Sequence, residues 1–550
     1  MVAQPLADSL PDAPPLRPTR RQCLAVGALA ASALVGARPA SAQSPHDATA
    51  SPGGPAAPIG PAPPLNPVPL PHYNPGANWS DPALRLVRRV TLGLTTQEAR
   101  RAVSLGYDGY LEYQLDDAAI DDSAVENYLA ANYPTLSQSP HDLRAAYSMT
   151  TSLISNPLVE ATLFRSLYSQ RQLHQRMVEF WTDHFNIWTG KADILYLKGS
   201  DDRDVVRAHA LGKFPDMLRA SAHSPAMLQM LDNSSSRGDG KPAKSPNQNY
   251  ARELMELHTL GVNGGYTQAD VLEVARCLTG WSMETNSASP NYGTFKYIPQ
   301  YHDNGAKTVL GHVIPATGAK DAGGGIADGD KVLDILAGHP STALFIAGKM
   351  TRWLLRPDPS PALVQSVAQV YLNTGGDIKA MIRAILQEDL LMLAPAKYKR
   401  PYHLLVSAVR ATDPTVSDPA HWLASLRSQT DALGQTPFQW QAPNGYPDAL
   451  GYWAGLILPR WNFGFALANN AFSGGVLDIA SLQRAATPAA IADLLDAALF
   501  GGTLPEMEKD ALADFLEATV PPPSASKPLP AQRIRDVVGL ALATPNFQWY

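Results

Sequence analysis

The sequence predicts an all-α fold, a large multi-helix assembly with one small β-hairpin excursion near residues 293–315. Three observations support this prediction. A capping residue followed by proline opens many segments, apolar residues recur at helical spacing behind these openings, and strand-like alternation is confined to one place. With 48 prolines and 40 glycines among 550 residues, the chain has many sites at which helices begin and end.

Residues 1–42 have the features of a twin-arginine signal peptide. Arg20 and Arg21 precede an uncharged, small and apolar run over residues 25–37, and an A-x-A cleavage site follows at residues 40–42. Because the apolar run is shorter than the about 20 residues of a spanning helix, we expect no transmembrane anchor after cleavage. The sequence therefore predicts a periplasmic or secreted protein, exported by the twin-arginine route.

Cleavage changes both the charge and the cysteine content. The 44 basic and 50 acidic residues become 40 and 48, so the net charge falls from −6 to −8. Binding of a nucleic-acid backbone needs a clustered basic surface, so we expect no nucleic-acid partner. Cys277 remains as the only cysteine, which excludes an internal disulfide.

Two regions follow the signal peptide. Residues 43–78 are rich in Pro and Ala and have few aromatics, and such a composition buries too little apolar surface to offset its ordering entropy. We expect a disordered linker there. Residues 79–550 form the predicted all-α body, in which 79–290 and 321–550 are candidate lobes.

Capping signals place the helices in order. Asp81 followed by proline opens the first, Thr95 in a capping box opens the second, and Pro157 starts an apolar-periodic run that reaches residue 188. Further helices are predicted over 201–211, 225–231, 330–336, 340–355, 361–372, 377–386, 401–412, 488–499, 505–516 and 530–543.

Strand-like patterns occur at residues 294–298 and 308–314. Both segments contain β-branched residues, and they flank the polar loop 301–305. We expect them to pair with each other as a two-stranded excursion that carries this loop.

Residues 245–281 have the densest helix signals and are predicted to form helix, tight turn and helix. Ser245 followed by proline opens the first helix, Gly261 ends it, and Thr267 caps the second. The body of the chain is organised around this pair.

One stripe of the first of these helices carries polar groups beside a core-facing surface. At 100° per residue, Asn249, Glu253 and Glu256 share this stripe. In one interpretation the two carboxylates are functional. In the other interpretation the stripe is a solvated edge on which Arg252 pairs with Glu256. Such an ion pair stabilises a helix by only about 0.2–0.5 kcal/mol.

His184 shares its helix face with large apolar residues and is predicted to point into the interior. A buried imidazole needs a partner for each ring nitrogen, because an unsatisfied group costs about 1–3 kcal/mol. His184 is either a core histidine bonded to a carbonyl and a water, or it meets the Glu253 and Glu256 stripe across a helix interface.

Two polar loops carry further candidates for ligand binding. Asp232 and Asn233 open the loop that precedes residue 245, where they either bind a ligand or cap a helix end. His302 and Asp303, followed by Lys307, lie in the second loop. Loops held by a rigid scaffold often carry function.

These groups support three alternative sites. If His184, Glu253, Glu256, His302 and Asp303 converge, they form either a mixed nitrogen and oxygen site for a divalent metal or a general acid/base pair. Otherwise they form a structural buried polar network. The catalytic candidates are Glu253, Glu256 and His184. The ligand-binding candidates are Asp232, Asn233, Asn249, Arg252, His302, Asp303 and Lys307.

Familiar catalytic signatures do not occur in the sequence. It has no His-Glu-x-x-His, no Gly-x-Ser-x-Gly and no Cys-x-x-Cys, and the glycines at 323–325 lack the lysine of a phosphate loop. Hydride, thiol and nucleotide chemistry are therefore disfavoured. The aromatic stretch 438–447, with Trp453 and Trp461 beyond it, either stacks on sugar faces or packs inward.

Short motifs in a fixed order give the chain a family resemblance. They include Phe180-Trp-Thr-Asp-His-Phe-Asn186, Asn247-Gln-Asn-Tyr-Ala-Arg-Glu253, Ala275-Arg-Cys-Leu-Thr-Gly-Trp281 and the terminal Thr544-Pro-Asn-Phe-Gln548. From about Arg88 to Gln548 the chain resembles the domain-of-unknown-function 1800 family. It departs from the family at Gln248, where Glu is usual, and at Tyr446, where Trp is usual.

The resemblance implies bacterial export and association with another exported protein. Genes of this family often neighbour those of the family numbered 1501, whose members resemble secreted sulfatases or phosphatases. The leading functional hypothesis is an exported hydrolase with a buried His/carboxylate pocket, acting on a carbohydrate or other envelope or extracellular polymer. The alternative is a non-catalytic binding or assembly partner of an exported protein of the 1501 family.

Overall fold

A computed structural model describes residues 76, 78–239, 245–317, 324–518 and 529–550. The signal peptide predicted over 1–42 and almost all of the linker predicted over 43–78 lie outside the described residues. The described part is mostly all-α, with 63% helix, 24 α-helices and three small two-stranded sheets. The predicted fold class is confirmed.

Eleven α-helices precede the first strand in the described part of the chain, and a π-helix follows α7 at Asp202–Arg207. They are α1 (Pro82–Val90), α2 (Thr96–Leu115), α3 (Ser123–Asn132), α4 (Pro140–Tyr147), α5 (Ser152–Tyr168), α6 (Gln172–His184), α7 (Ile194–Asp201), α8 (Phe214–His223), α9 (Pro225–Met230), α10 (Gln248–Glu256) and α11 (Gln268–Cys277).

Thirteen α-helices follow the fourth strand in the described ranges. They are α12 (Gly324–Gly338), α13 (Pro340–Leu354), α14 (Pro361–Thr374), α15 (Ile378–Ile385), α16 (Glu388–Met392), α17 (Pro401–Thr412), α18 (Pro419–Ala432), α19 (Leu450–Trp453), α20 (Ile457–Ala468), α21 (Ala480–Gln483), α22 (Pro488–Leu495), α23 (Glu506–Glu517) and α24 (Ala531–Ala543).

The strands pair differently from the expectation. Strand β1 (Trp281–Met283) pairs with β2 (Phe295–Tyr297), and β3 (Lys307–Val309) pairs with β4 (His312–Ile314), both antiparallel. Residues 294–298 and 308–314 therefore do not pair with each other. The predicted strand 308–314 instead folds back on itself, because Leu310 and Gly311 both have positive φ and form a two-residue hairpin turn between β3 and β4. A third sheet joins β5 (Thr415–Val416) to β6 (Gly475–Val476).

Three predicted caps form as expected. The side chains of Asp81, Thr95 and Thr267 each accept a hydrogen bond from the backbone N–H three residues on, and Thr267 belongs to a full capping box. The predicted start of a helix at Ser245 and its end at Gly261 are wrong. Helix α10 spans Gln248–Glu256, because the side chain of Asn247 caps it by accepting from the Tyr250 N–H at 3.1 Å. The predicted long helix from Pro157 to residue 188 is also wrong. It is two helices, because Asp122 accepts hydrogen bonds from Ser169 Oγ and the next backbone N–H and so stabilises the break between α5 and α6.

Buried apolar side chains form two large clusters. The first includes residues from α1, α2, α6 and most elements between α8 and α16. The second joins α3 and α5 to elements from α17 to the C-terminus. The division into lobes at 79–290 and 321–550 stays a prediction, since the first cluster draws on segments from both. Within the described ranges, no helix combines the length and hydropathy needed to cross a bilayer.

Candidate functional site

His184 is the last residue of α6 and is 1% exposed, which confirms the prediction that it points into the interior. Its Nε2 lies 3.1 Å from the carbonyl oxygen of His258, and its Nδ1 lies 2.9 Å from Nζ of Lys349. A carbonyl oxygen can only accept, so Nε2 donates to His258. Nδ1 therefore accepts from the Lys349 amine, and the tautomer of the ring is fixed.

Burial and neighbouring charge keep this imidazole neutral. The pKa of His184 lies well below its ordinary value, because burial disfavours the charged ring and Lys349 adds a like charge. The pKa of His258 falls to about 3 for the same reasons. Burial also lowers the pKa of Lys349 to about 8, although the carboxylate of Asp183 opposes this shift. Lys349 is the group of this cluster that titrates nearest to neutral pH.

His184 and Lys349 lie on the wall of a surface pocket of about 250 Å³, here called the lysine pocket. Helix α6 forms one wall, α13 forms another, and the loop 444–449 closes the third side. The lining residues are Phe180, Asp183, His184, Lys349, Arg352, Trp353, Arg400, Asn444, Tyr446, Pro447, Asp448 and Ala449.

The carboxylates of the lysine pocket are already paired with cations. Arg400 bonds to Asp183 at 2.6 Å and to Glu179 at 2.5 Å, and Lys397 bonds to Asp448 at 2.7 Å. Burial raises the pKa of Asp183, and Arg400 offsets part of this rise. These carboxylates are therefore engaged in structural ion pairs.

Two cations of the lysine pocket differ from this pattern. Across the ranges that the structure describes, neither Lys349 nor Arg352 forms an ion pair with a carboxylate. They lie three residues apart on α13, so their side chains are neighbours on one helix face. Arg352 is exposed. Two unneutralised cations beside each other favour an anionic ligand.

Gly445 lets the loop 444–449 approach α6. Its φ is +71°, and a Cβ at this position would lie 2.1 Å from the backbone oxygen of Asp183. The neighbouring N–H of Tyr446 donates to Asp183 Oδ1 at 3.2 Å, so the contact also shapes the pocket wall.

We expect Gly445→Ala to displace this loop and to lower the free energy of unfolding by about 1–3 kcal/mol, because the change adds backbone strain and a clash. Urea denaturation measures the loss. Gly451→Ala is the matched control, since a Cβ there meets no atom within 4 Å. Equal stability of the two variants would contradict the packing of this loop.

The two candidate glutamates lie on α10 outside the lysine pocket. Both are partly exposed, and Tyr266 donates to Glu256 at 3.2 Å. Burial and the charge of Glu256 raise the pKa of Glu253, and Arg252 acts in the opposite direction. His184 meets the segment that follows α10 through the His258 carbonyl rather than through either carboxylate.

The remaining candidates near α10 bond to neighbouring protein groups. Asn233 is fully buried and donates to two backbone carbonyls at 3.2 Å each, while Asp232 accepts from Lys191 at 2.7 Å. Asn249 lies 3.5 Å from a backbone carbonyl, and Arg252 donates to a glutamine side chain at 2.8 Å. Their roles in ligand binding stay predictions.

His302 and Lys307 belong to a second polar group, here called the lysine–aspartate cluster. Lys307 Nζ lies 2.5 Å from Asp328 Oδ2, and His302 Nε2 lies 3.2 Å from the same oxygen. The side chains of His302 and Lys307 are fully buried, and that of Asp328 is 5% exposed. Asp303 lies beside this cluster and forms a two-bonded ion pair with Arg276 of α11, at 2.8 and 3.0 Å.

The five metal candidates do not meet as one ligand set. Among residues 78–239, 245–317, 324–518 and 529–550, no group of three or more His, Cys, Asp or Glu side chains is placed to hold a metal ion. His184 lies in the lysine pocket, His302 lies in the lysine–aspartate cluster with Asp303 beside it, and the candidate glutamates lie on α10. The residues that sequence patterns group together are thus divided among three places.

A family model matches residues 85–549, which is most of the chain, and its description is Protein of unknown function (DUF1800). The chain belongs to this family. The resemblance inferred from the sequence motifs is confirmed over nearly the same span. No curated protein and no solved structure matches the chain.

Gln248 and Tyr446, the two positions expected from the sequence to depart from the DUF1800 motifs, have clear contacts. Gln248 accepts from Gln268 at 3.0 Å and so joins the starts of α10 and α11. Tyr446 donates through its hydroxyl to the Thr436 carbonyl at 2.8 Å while its ring lines the lysine pocket. Neither substitution removes a group from the His184–Lys349 pair.

Sequence reasoning missed Lys349 and Arg352, the two residues that distinguish this pocket in the DUF1800 chain. Both lie in a segment that was predicted as a helix. The signal that could have revealed Lys349 is its position between Ile346 and Met350 in a strongly apolar helix, where a charged group on the buried side is unusual. Its partner His184 could not be deduced, because the two residues are 165 positions apart.

Proposed function

We propose that the chain is an exported hydrolase of an envelope or extracellular polymer and that Lys349 is its general base. The observation that carries this proposal is the amine of Lys349 on the wall of an open pocket, with a pKa near 8 and His184 Nδ1 as a hydrogen-bond acceptor. Catalytic lysines are commonly tuned to about 7–8 by burial. Export is supported by the twin-arginine features of residues 1–42.

The chemistry follows from the hydrogen bonds of the pair. The neutral amine keeps one N–H on His184 Nδ1, which leaves its lone pair to accept a proton from a water molecule. That water then attacks the bond to be cleaved, and the ammonium form of Lys349 returns the proton to the leaving group. His184 itself stays neutral and acts as a positioning residue. Arg352 supplies the positive charge that stabilises an anionic group of the substrate.

The hypothesis that Glu253 and Glu256 are catalytic makes a different prediction. Because these residues do not line the lysine pocket, we expect Glu256→Gln to retain turnover. A loss of turnover with an unchanged melting temperature would move the catalytic role to α10.

The pH profile of activity tests the proposal. Purified protein should release products from envelope or extracellular polysaccharides, and turnover should be low at pH 6 and rise through an apparent pKa near 8, because only the deprotonated amine accepts a proton. Reducing-end release measured between pH 6 and 9 provides the profile. A flat profile would contradict the role of Lys349. A complete lack of products would favour the alternative, a non-catalytic partner of an exported protein of the 1501 family.

A further inference from the structure

An aromatic group stands at the rim of the lysine pocket. Four rings are within contact distance of one another: the Trp440 centroid lies 5.0 Å from that of Tyr446 and 5.9 Å from that of Tyr452, and Trp453 lies 4.7 Å from Tyr452. These four residues are here called the aromatic rim. Sequence reasoning left open whether such rings stack on sugars or pack inward.

The aromatic rim is anchored on one side and presented to solvent on the other. Trp453 is 2% exposed, and its indole N–H donates to the Pro447 carbonyl at 2.7 Å. Tyr452 is 53% exposed and Trp440 is partly exposed. The indole N–H of Trp440 donates to Asn444 Oδ1 at 2.9 Å. The buried half therefore fixes the position of two rings that solvent can reach.

The rim and the lysine pocket share one loop. Asn444, Tyr446 and Pro447 line the pocket together with Lys349, and the same three residues contact Trp440 or Trp453. A ligand seated against Lys349 would thus extend over the rim without crossing another element of the fold.

The aromatic rim and the lysine pocket offer different groups to a ligand. An aromatic face carries negative π-density and binds the polarised C–H face of a sugar ring, while exposed amides such as Asn444 bond to hydroxyls. At the pocket end, the guanidinium of Arg352 has no carboxylate partner among the described residues, and a guanidinium binds a carboxylate through two parallel hydrogen bonds. Arg400, which also lines the pocket, already has carboxylate partners in Asp183 and Glu179.

We propose that this surface binds an acidic saccharide, with a sugar ring on Trp440 and Tyr452 and the carboxylate of a neighbouring unit on Arg352, while Lys349 stays free to act on water. This inference rests on the proposed function for the identity of the reacting pocket and adds the substrate class. The chain left after the predicted cleavage has net charge −8 and repels polyanions in general, so the local positive charge of Arg352 indicates where such a polymer would bind.

Binding of tetragalacturonate, measured by calorimetry and by tryptophan fluorescence, tests the inference. We expect Tyr452→Ala and Trp440→Leu each to weaken binding about ten-fold, which corresponds to about 1.4 kcal/mol. Arg352→Gln should abolish the preference for the acid over its methyl ester. Tyr168→Ala is the control, since Tyr168 is 40% exposed and lies outside the lysine pocket.

The outcomes separate this inference from the proposed function. Weaker binding by the rim variants without any turnover would support the saccharide site and reject the hydrolase. Turnover that depends on Lys349 but not on Trp440 or Tyr452 would reject the saccharide site and leave the hydrolase. Equal binding of tetragalacturonate and its methyl ester by all variants, or binding of inorganic phosphate as tight as that of tetragalacturonate, would overturn the inference.

Discussion

Lys349→Met should reduce turnover by about 10²–10⁴-fold, the usual contribution of a general base, while the protein stays folded. Methionine matches the length of the lysine stem and removes the amine. Burial of Lys349 without a carboxylate partner lowers its pKa, and its removal relieves that cost. The same change leaves His184 Nδ1 without its donor, at about 1–3 kcal/mol, so the free energy of unfolding should fall by no more than that. Turnover of a polymer that the wild type cleaves, together with urea denaturation, measures both effects.

Two further variants show whether the loss of turnover comes from the missing base at position 349. Lys349→Arg keeps a positive charge that cannot lose its proton, so it should bind an anionic ligand but fail to turn it over. Lys379→Met is the matched control, because Lys379 pairs with Asp117 at 3.0 Å and does not line the lysine pocket. A Lys349→Met protein with wild-type turnover would refute the general-base role.

Lys307→Met should lower the free energy of unfolding by about 3–5 kcal/mol, the cost of leaving a buried charge without its partner. Lys307 Nζ is 2.5 Å from Asp328 Oδ2, and both side chains are buried. Removal of the ammonium leaves the carboxylate with only His302 beside it. Equilibrium denaturation in urea measures the loss.

The double variant Lys307→Met with Asp328→Asn tests the cause of that loss. It removes both charges, so it should regain most of the stability. Burial would raise the pKa of Asp328, but hydrogen bonds from His302 and Lys307 outweigh it and the pKa is lowered.

The pH dependence gives an independent check. A lowered folded-state pKa contributes stability above the unfolded-state pKa and loses it as the pH falls through the folded value. In Lys307→Met this contribution is absent, so the stability difference from the wild type should shrink in acid. A difference that is constant with pH would contradict the pairing.

Local signals in the sequence were sufficient to predict much of the fold. The helix predicted over 361–372 is observed at Pro361–Thr374, because Ser360 caps it and Gly375 at φ +66° ends it. Both are short-range effects that the sequence shows directly. Helix α18 was missed although Asp418 before Pro419 carries the same signal that opened α1, and its side chain does cap the helix.

The candidate site was harder to predict because it depends on long-range packing. The interior position of His184 could be predicted, because helical periodicity in the sequence shows which face of α6 is apolar. Its partners, Lys349 and the His258 carbonyl, come from other elements, and no spacing rule connects them. The same limit explains why His302 was grouped with His184, whereas its neighbours in the fold are Lys307 and Asp328.

The pKa of Lys349 itself tests the central claim most directly. Reductive methylation with ¹³C-formaldehyde labels the lysines, and the Lys349→Met variant assigns the resonance in an NMR titration. The wild-type signal of Lys349 should titrate near 8, well below the ordinary 10.5 of a lysine. When His184 is replaced by alanine, the pKa of Lys349 should fall further, because the ammonium loses its acceptor at His184 Nδ1. Titration near 10.5, unaffected by that replacement, would show that Lys349 is an ordinary surface amine and would contradict the proposed site.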